Sequence, residues 1–176
     1  MPHFDLDRFV QQLCEAAGEE EAVKKVREVM TGAFRDPGSI KSAMPEYEND
    51  DEILFEDETV SIWFVRFMPG LHLPPHDHQT TAMIGVYDGA ENNHFYLREP
   101  GRLVHKSTRR VGPGDVISLK PDGIHSVEAA DGKPSRGIHV YLAKLTQIER
   151  SLFDWDSGEP RPFTDDNYYA MKRIGP

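Results

Sequence analysis

An antiparallel jelly-roll barrel, mainly β and preceded by a short helical extension, is the fold class that this 176-residue sequence predicts. Three observations carry that reading. Up to residue 45 the apolar residues recur at intervals of three and four, the period of an amphipathic helix. After residue 52 the interval falls to two, the period of a strand with unlike faces. From there to residue 145, short apolar runs alternate with Gly, Pro, Asn and Asp turns, and no helical stretch intervenes.

The helical part divides in two. Phe4, Leu6, Phe9, Val10, Leu13, Ala16 and Ala17 form one stripe, ended by Gly18, and Ala22, Val23, Val26, Val29, Met30 and Ala33 form another. The second run, Glu19 to Phe34, opens on three acids and stops at Asp36-Pro37-Gly38. Ser39 to Pro45 fits a helical turn, and Glu46 to Glu52 is an acidic connector. Strands are then expected at Ile53 to Phe55, Val60 to Met68, Leu71 to Leu73, Ala82 to Tyr87, His94 to Arg98, Leu103 to Ser107, Val116 to Leu119, Ile124 to Glu128 and Gly137 to Lys144. Asp88-Gly89 and Asn92-Asn93 point to a hairpin joining the fourth and fifth of these. Residues 146–176, with Trp155, Phe163, Tyr168 and Tyr169 among prolines and acids, are expected to pack over the barrel as irregular structure. The whole is one domain, 1–45 helical, 52–145 barrel and 146–176 tail.

Composition narrows the function. A net charge of −10 with scattered Lys and Arg argues against nucleic acid or an anionic membrane as partner. The first residues, Met1-Pro2-His3-Phe4-Asp5, have neither a basic nor an apolar leader region, so the chain is expected to be cytoplasmic. The single cysteine, Cys14, excludes an internal disulfide and a sulfur-ligated zinc site. Any metal must be held by nitrogen or oxygen.

The stretch Pro74-Pro75-His76-Asp77-His78 places two imidazoles one residue apart, on one face of an extended segment. A third ligand has to come from another strand, and His125 qualifies because it follows the Pro121-Asp122-Gly123 turn at the start of an apolar run. His72 shares parity with His76, but Pro74-Pro75 interrupts the strand between them, so His72 is left outside the set. His139 and Tyr141 share a face with Gly137.

These residues carry a resemblance. Gly70 to Gly89 resembles the first cupin motif, Gly-x5-His-x-His with a later Gly, and Gly114 to His125 resembles a variant of the second, Gly-x6-Pro-x-Gly-x-His. The cupin glutamate that usually follows the second histidine is absent; Ala82 and Met83 stand there. With that absence, the helical extension and Gly137-Ile138-His139-Val140-Tyr141, the chain resembles the thiol dioxygenases, both cysteine dioxygenase and, more closely, the bacterial 3-mercaptopropionate branch. The resemblance implies a double-stranded β-helix, Fe(II) on His76, His78 and His125 (with zinc or nickel possible as purified), and a small thiol and O2 as partners. It also implies a Ser-x-His-x-Tyr relay, here with Gly137 in the serine position beside His139 and Tyr141. By position it places the carboxylate-binding arginine at Arg150, with Arg66 as the other candidate. Thr81 stands where relatives carry tryptophan, which implies a wider pocket. The cysteine–tyrosine link of mammalian-type enzymes is not expected, because the only cysteine is at position 14. Two other readings stay open: a metal-dependent cupin oxygenating a carbon substrate, and a non-catalytic small-molecule-binding cupin.

Overall fold

The computed structural model describes residues 3–174. Residues 1–2 of the expected helical segment and 175–176 of the expected tail lie outside it. Three helices come first: α1 (Leu6–Ala17), α2 (Ala22–Ala33) and α3 (Pro37–Ala43). Asp5 caps α1, its carboxylate accepting from the Arg8 N–H at 2.8 Å, and Asp36 caps α3 in the same way through Ser39. Pro37 sits in the first turn of α3, where its missing N–H is not needed.

The barrel strands are β1 (Asp51–Glu56), β2 (Ser61–Phe67), β3 (Leu71–His76), β4 (Ala82–Asp88), β5 (Glu91–Glu99), β6 (Arg102–Val111), β7 (Val116–Leu119), β8 (Ile124–Ala129) and β9 (Ser135–Tyr141). They form two antiparallel sheets, one ordered β1-β2-β9-β4-β7 and the other built on β3-β8-β5-β6. Consecutive strands repeatedly sit in opposite sheets, which is the jelly-roll arrangement.

The hairpin expected between Ala82–Tyr87 and His94–Arg98 is not formed. β4 pairs with β7 and β9 in the first sheet, while β5 pairs with β6 and β8 in the second. Asp88-Gly89 turns the chain from one sheet to the other, and Asn92 and Asn93 are strand residues rather than a turn. The true hairpin is β5–β6, closed at Pro100-Gly101. Its polar, Arg- and Lys-bearing β6 lies at the sheet edge, where charge discourages further pairing.

The tail also departs from expectation. After a 3-10 turn at Leu145–Gln147, it contains β10 (Ser151–Phe153), β11 (Pro160–Pro162), α4 (Asp165–Met171) and β12 (Arg173–Ile174). β10 and β12 both pair with β3, extending the second sheet. These strands are two or three residues long, too short to show a period of two. They exist because β3 otherwise presents an unpaired edge.

The first sheet is buried on both sides. Ile62, Phe64, Met83, Tyr87, Ile138 and Val140 face outward and pack against Phe9, Leu13, Val26, Met30, Phe34 and Ile40 of the helical layer. Ala82, Ile84, Val86, Ile117, Leu119 and Tyr141 face the barrel interior with Trp63 and Phe95. Hence β4 reads as a continuous apolar run. The helices meet it most closely at Gly85: a Cβ there would lie 2.5 Å from the tip of the fully buried Phe34 ring. Cys14 belongs to this outer layer, on the far side of the sheet from the barrel interior.

Gly85→Ala is therefore expected to destabilise the protein by about 1–3 kcal/mol, the usual cost of overpacking a core. Urea denaturation would read it, and Phe34→Leu in the same chain should recover part of the loss. Equal midpoints for wild type and Gly85→Ala would show that the helical layer is loosely seated.

Candidate metal centre

β3 and β8 pair His72 with Glu128 and Leu73 with Val127, and then, after a register shift, His76 with His125. Three residues are spent on β3 for two on β8. The cause is Pro74-Pro75, which cannot donate to a ladder. The bulge inverts parity: Leu73 and His76 both face the barrel interior, whereas His72 faces outward, bonds Ser126 Oγ at 2.7 Å and packs on Trp155. His78 follows in extended chain just past the end of β3. Between them Asp77 points the other way. Its backbone N–H donates to Ser151 O at 3.1 Å, and its Oδ1 accepts from the Ser151 N–H at 3.0 Å.

His76, His78 and His125 are all buried and bring one ring nitrogen each within 4.8 Å of the others. Partners fix which nitrogen. His76 Nδ1 donates to Pro74 O and His125 Nδ1 donates to Asn93 Oδ1, both at 2.9 Å, so each keeps Nε2 free. His78 Nε2 and His125 Nε2 stand 3.1 Å apart. Two ligands at about 2.1 Å from one ion and 90° apart would be about 3.0 Å from each other, so the spacing suits a shared cation. Burial pushes the pKa of His76 down to about 4 and those of His78 and His125 well below the usual histidine value. The imidazoles are thus neutral at pH 7, the form that binds a metal. The three-histidine set could hold iron(II), zinc or nickel.

A cavity of about 370 Å³ opens over these nitrogens, walled by Trp63, Phe67, Leu73, Val127 and Tyr141 and bordered by Arg150. That volume lies within the range of about 300–1,000 Å³ typical of small-molecule sites. Thr81 is not among its lining residues, so a smaller side chain there does not explain the room. α4 and its surroundings supply the outer wall through Phe163, Tyr168 and Tyr169.

The two arginines differ. Arg66 lines the cavity, but its guanidinium is occupied: Nε donates to Asp50 Oδ1 at 2.7 Å, and the terminal nitrogens donate to the Tyr47 and Glu48 carbonyls at 3.1 Å. It ties down the acidic connector. Arg150 is half-buried with its guanidinium 4.1 Å from the Phe163 ring centre, and Phe163 in turn packs edge-on to His76. Burial lowers its pKa, and Tyr141 and Asp77 offset part of that effect.

Tyr141 lies beside His78, with ring centres 5.1 Å apart, and its hydroxyl is 3.3 Å from His139 Nδ1. Burial raises the Tyr141 pKa, so the phenol keeps its proton at neutral pH. Gly137 has no room for the serine of the resembled family: a Cβ there would lie 2.6 Å from Gly85 O, a backbone atom in the neighbouring strand. Ser135, the other hydroxyl on that face, forms no hydrogen bond among the described residues. Sequence reasoning missed Asn93, read as a turn, and Asp77, whose opposite parity between the histidines was the available signal.

The histidine shifts set a pH dependence for the metal-free protein. The folded-state pKa of His76 lies below its unfolded value, so between roughly 6.5 and 4 the unfolded chain binds a proton that the folded one does not. Stability is full above that window and falls with pH through it. From pH 7.5 to 5, His76 alone should remove about 2 kcal/mol, read by urea unfolding of metal-free protein. A flat profile across that range would mean that the imidazoles are hydrated.

No family model matches the chain. Among solved structures it is similar to a cupin-like protein from Thermotoga maritima, with 19% identity and a TM-score of 0.46 over 69% of this chain and 82% of that one. It is similar to a cupin superfamily protein from Desulfitobacterium hafniense, with 14% identity and a TM-score of 0.44 over 58% of this chain and 85% of that one. An oxalate oxidase matches with 18% identity and a TM-score of 0.43 over 56% of this chain and 54% of that one. The likeness is one of fold.

Proposed function

We propose that this protein is a mononuclear non-haem iron thiol dioxygenase, which adds both atoms of O2 to the sulfur of a small acid-bearing thiol and gives its sulfinic acid. The observation that supports it is the donor set: three buried, neutral imidazoles without a carboxylate among them, on the floor of a cavity that also holds an arginine. Neutral donors leave a divalent charge uncompensated, which favours an anionic ligand such as a thiolate. Iron(II), when bound, would supply a redox-active Lewis acid at which thiolate and dioxygen are neighbours.

The chain's own residues have distinct tasks in this reading. Arg150 binds the substrate carboxylate, since a planar guanidinium can accept it in bidentate fashion. Phe163 and Asp77 favour Arg150 in its place, one by stacking and one by charge. Tyr141, protonated and beside His78, presents its hydroxyl oxygen to the substrate's reacting end, and His139 orients it. Trp63, Phe67 and Val127 exclude water and strengthen these polar contacts.

Cavity size favours a second reading. About 370 Å³ exceeds what a three-carbon acid thiol fills, and the apolar wall of Trp63, Phe67, Leu71 and Leu73 would suit a bulkier oxygenated carbon substrate. Oxygen uptake by the Fe(II)-loaded protein across a panel of thiols separates the two: uptake without any thiol selects the carbon substrate. Within the thiol reading, wild type and Arg150→Ala are compared on 3-mercaptopropionate and its uncharged amide. An unpaired buried carboxylate costs about 2–5 kcal/mol, so kcat/KM for the acid should fall roughly 30-fold to several thousand-fold while the amide hardly changes. Equal losses on both substrates would remove Arg150 as the clamp.

A further inference from the structure

Glu91, the first residue of β5, is 0% exposed, and neither metal nor substrate binding accounts for it. Its Oε2 accepts from Asn93 Nδ2 at 3.3 Å, while its Oε1 has no hydrogen-bond partner among the described residues. Facing it from the opposite sheet, at 3.8 Å, is Nε2 of His139, also buried and also without a partner. A carboxylate oxygen and a ring N–H are each costly to leave alone in a dry interior. At 3.8 Å the two atoms stand outside the usual hydrogen-bond range of about 2.7–3.2 Å, so a bond between them requires the side chains to close by roughly 0.6 Å.

We infer that Glu91 is the positioning residue for His139, accepting its Nε2 proton and so fixing the tautomer whose Nδ1 accepts from the Tyr141 hydroxyl. The same carboxylate controls a second histidine. With its NH2 on Glu91, the Asn93 amide must turn its carbonyl to His125, and that carbonyl holds the proton on His125 Nδ1 and leaves Nε2 for the metal. Glu91 and Asn93 reach inward together because they are two apart on one strand. The arrangement answers the absence of a hydroxyl at position 137. A side chain there would strike Gly85 O, so the group that orients His139 comes across the barrel from the facing sheet instead of along β9. The inference rests on the proposed function only for what Tyr141 does in turnover; the Glu91–His139–Tyr141 and Glu91–Asn93–His125 connections are independent of the substrate.

The test is histidine tautomer state by long-range 1H–15N NMR on the full, metal-free chain, with the His139 signal assigned by its loss in His139→Gln. In wild type a proton on His139 Nε2 and none on Nδ1 is the expected result. A proton on Nδ1, alone or beside one on Nε2, overturns the inference, whatever the protein does with oxygen. Glu91→Gln sharpens it, because an amide has one acceptor for two donors. If the new carbonyl serves Asn93, His139 must move its proton to Nδ1. If it serves His139, Asn93 must flip, His125 changes tautomer and metal affinity, measured by chelator competition, falls about 10–100-fold. Unchanged tautomers at both histidines would overturn the role given to Glu91. Should Glu91→Gln fail to fold, the wild-type spectrum still decides. A protein inactive on every thiol but carrying the Nε2 proton would sink the thiol reading and leave this one standing.

Discussion

The placement of His76 directly across from His125, buried on paired strands, is the constraint to which the other parts of the site conform. A buried imidazole has to be neutral, and a neutral imidazole needs a donor role on one nitrogen satisfied before the other can face a cation. Pro74 O and Asn93 Oδ1 meet that requirement for His76 and His125. His78 gains no such bond: its Nδ1 is sealed without a partner among the described residues, so its orientation depends on packing, including that of Tyr141. The helical layer serves the same end indirectly. By covering the outer face of β2, β9 and β4, it packs the first sheet so that His139 and Tyr141 face the histidine cluster across the barrel.

Much of this was legible in the sequence, and the parts that were not have a common cause. Period-two spacing puts His139 and Tyr141 on one face of a strand, and the helical stripes of Phe9 to Ala16 and Val26 to Met30 mark one dry side of each helix, so these could be read directly. Periodicity does not say which sheet a strand joins. Asp88-Gly89 looks the same whether it closes a hairpin or carries the chain between layers, and the jelly roll required the second. Asn92-Asn93 has turn composition but strand conformation, because Asn93 has a buried partner at His125 and not because asparagine favours extended backbone. The tail strands were invisible for want of length. The bulge at Pro74-Pro75 was half legible: prolines announce a break in the ladder, but only the pairing with β8 shows that the break turns His76 inward and His72 outward.

Charge is distributed by the same logic of partners. Arg66 and Arg150 both border the cavity, yet the backbone carbonyls of Tyr47 and Glu48 and the Asp50 carboxylate engage all three nitrogens of Arg66 and three of its five N–H groups, while Arg150 is stacked on Phe163 and meets an acid only at a distance. Sequence position could nominate both and could not separate them, since the separation depends on where residues 47–50 fold back. Fully buried Glu91 belongs to the same category. Nothing local marks it, and its significance comes from a histidine on a strand that adjoins it only through the barrel interior.

Asp77 sits between two of the three clustered histidines and, through a pair of hydrogen bonds with Ser151, clips the start of β10 to the histidine-bearing loop. Arg150 is the residue next to that clip. Residues 76–78 and residue 150 are consequently joined through one short span of backbone, so the place of the guanidinium relative to the three imidazoles is set by the chain itself.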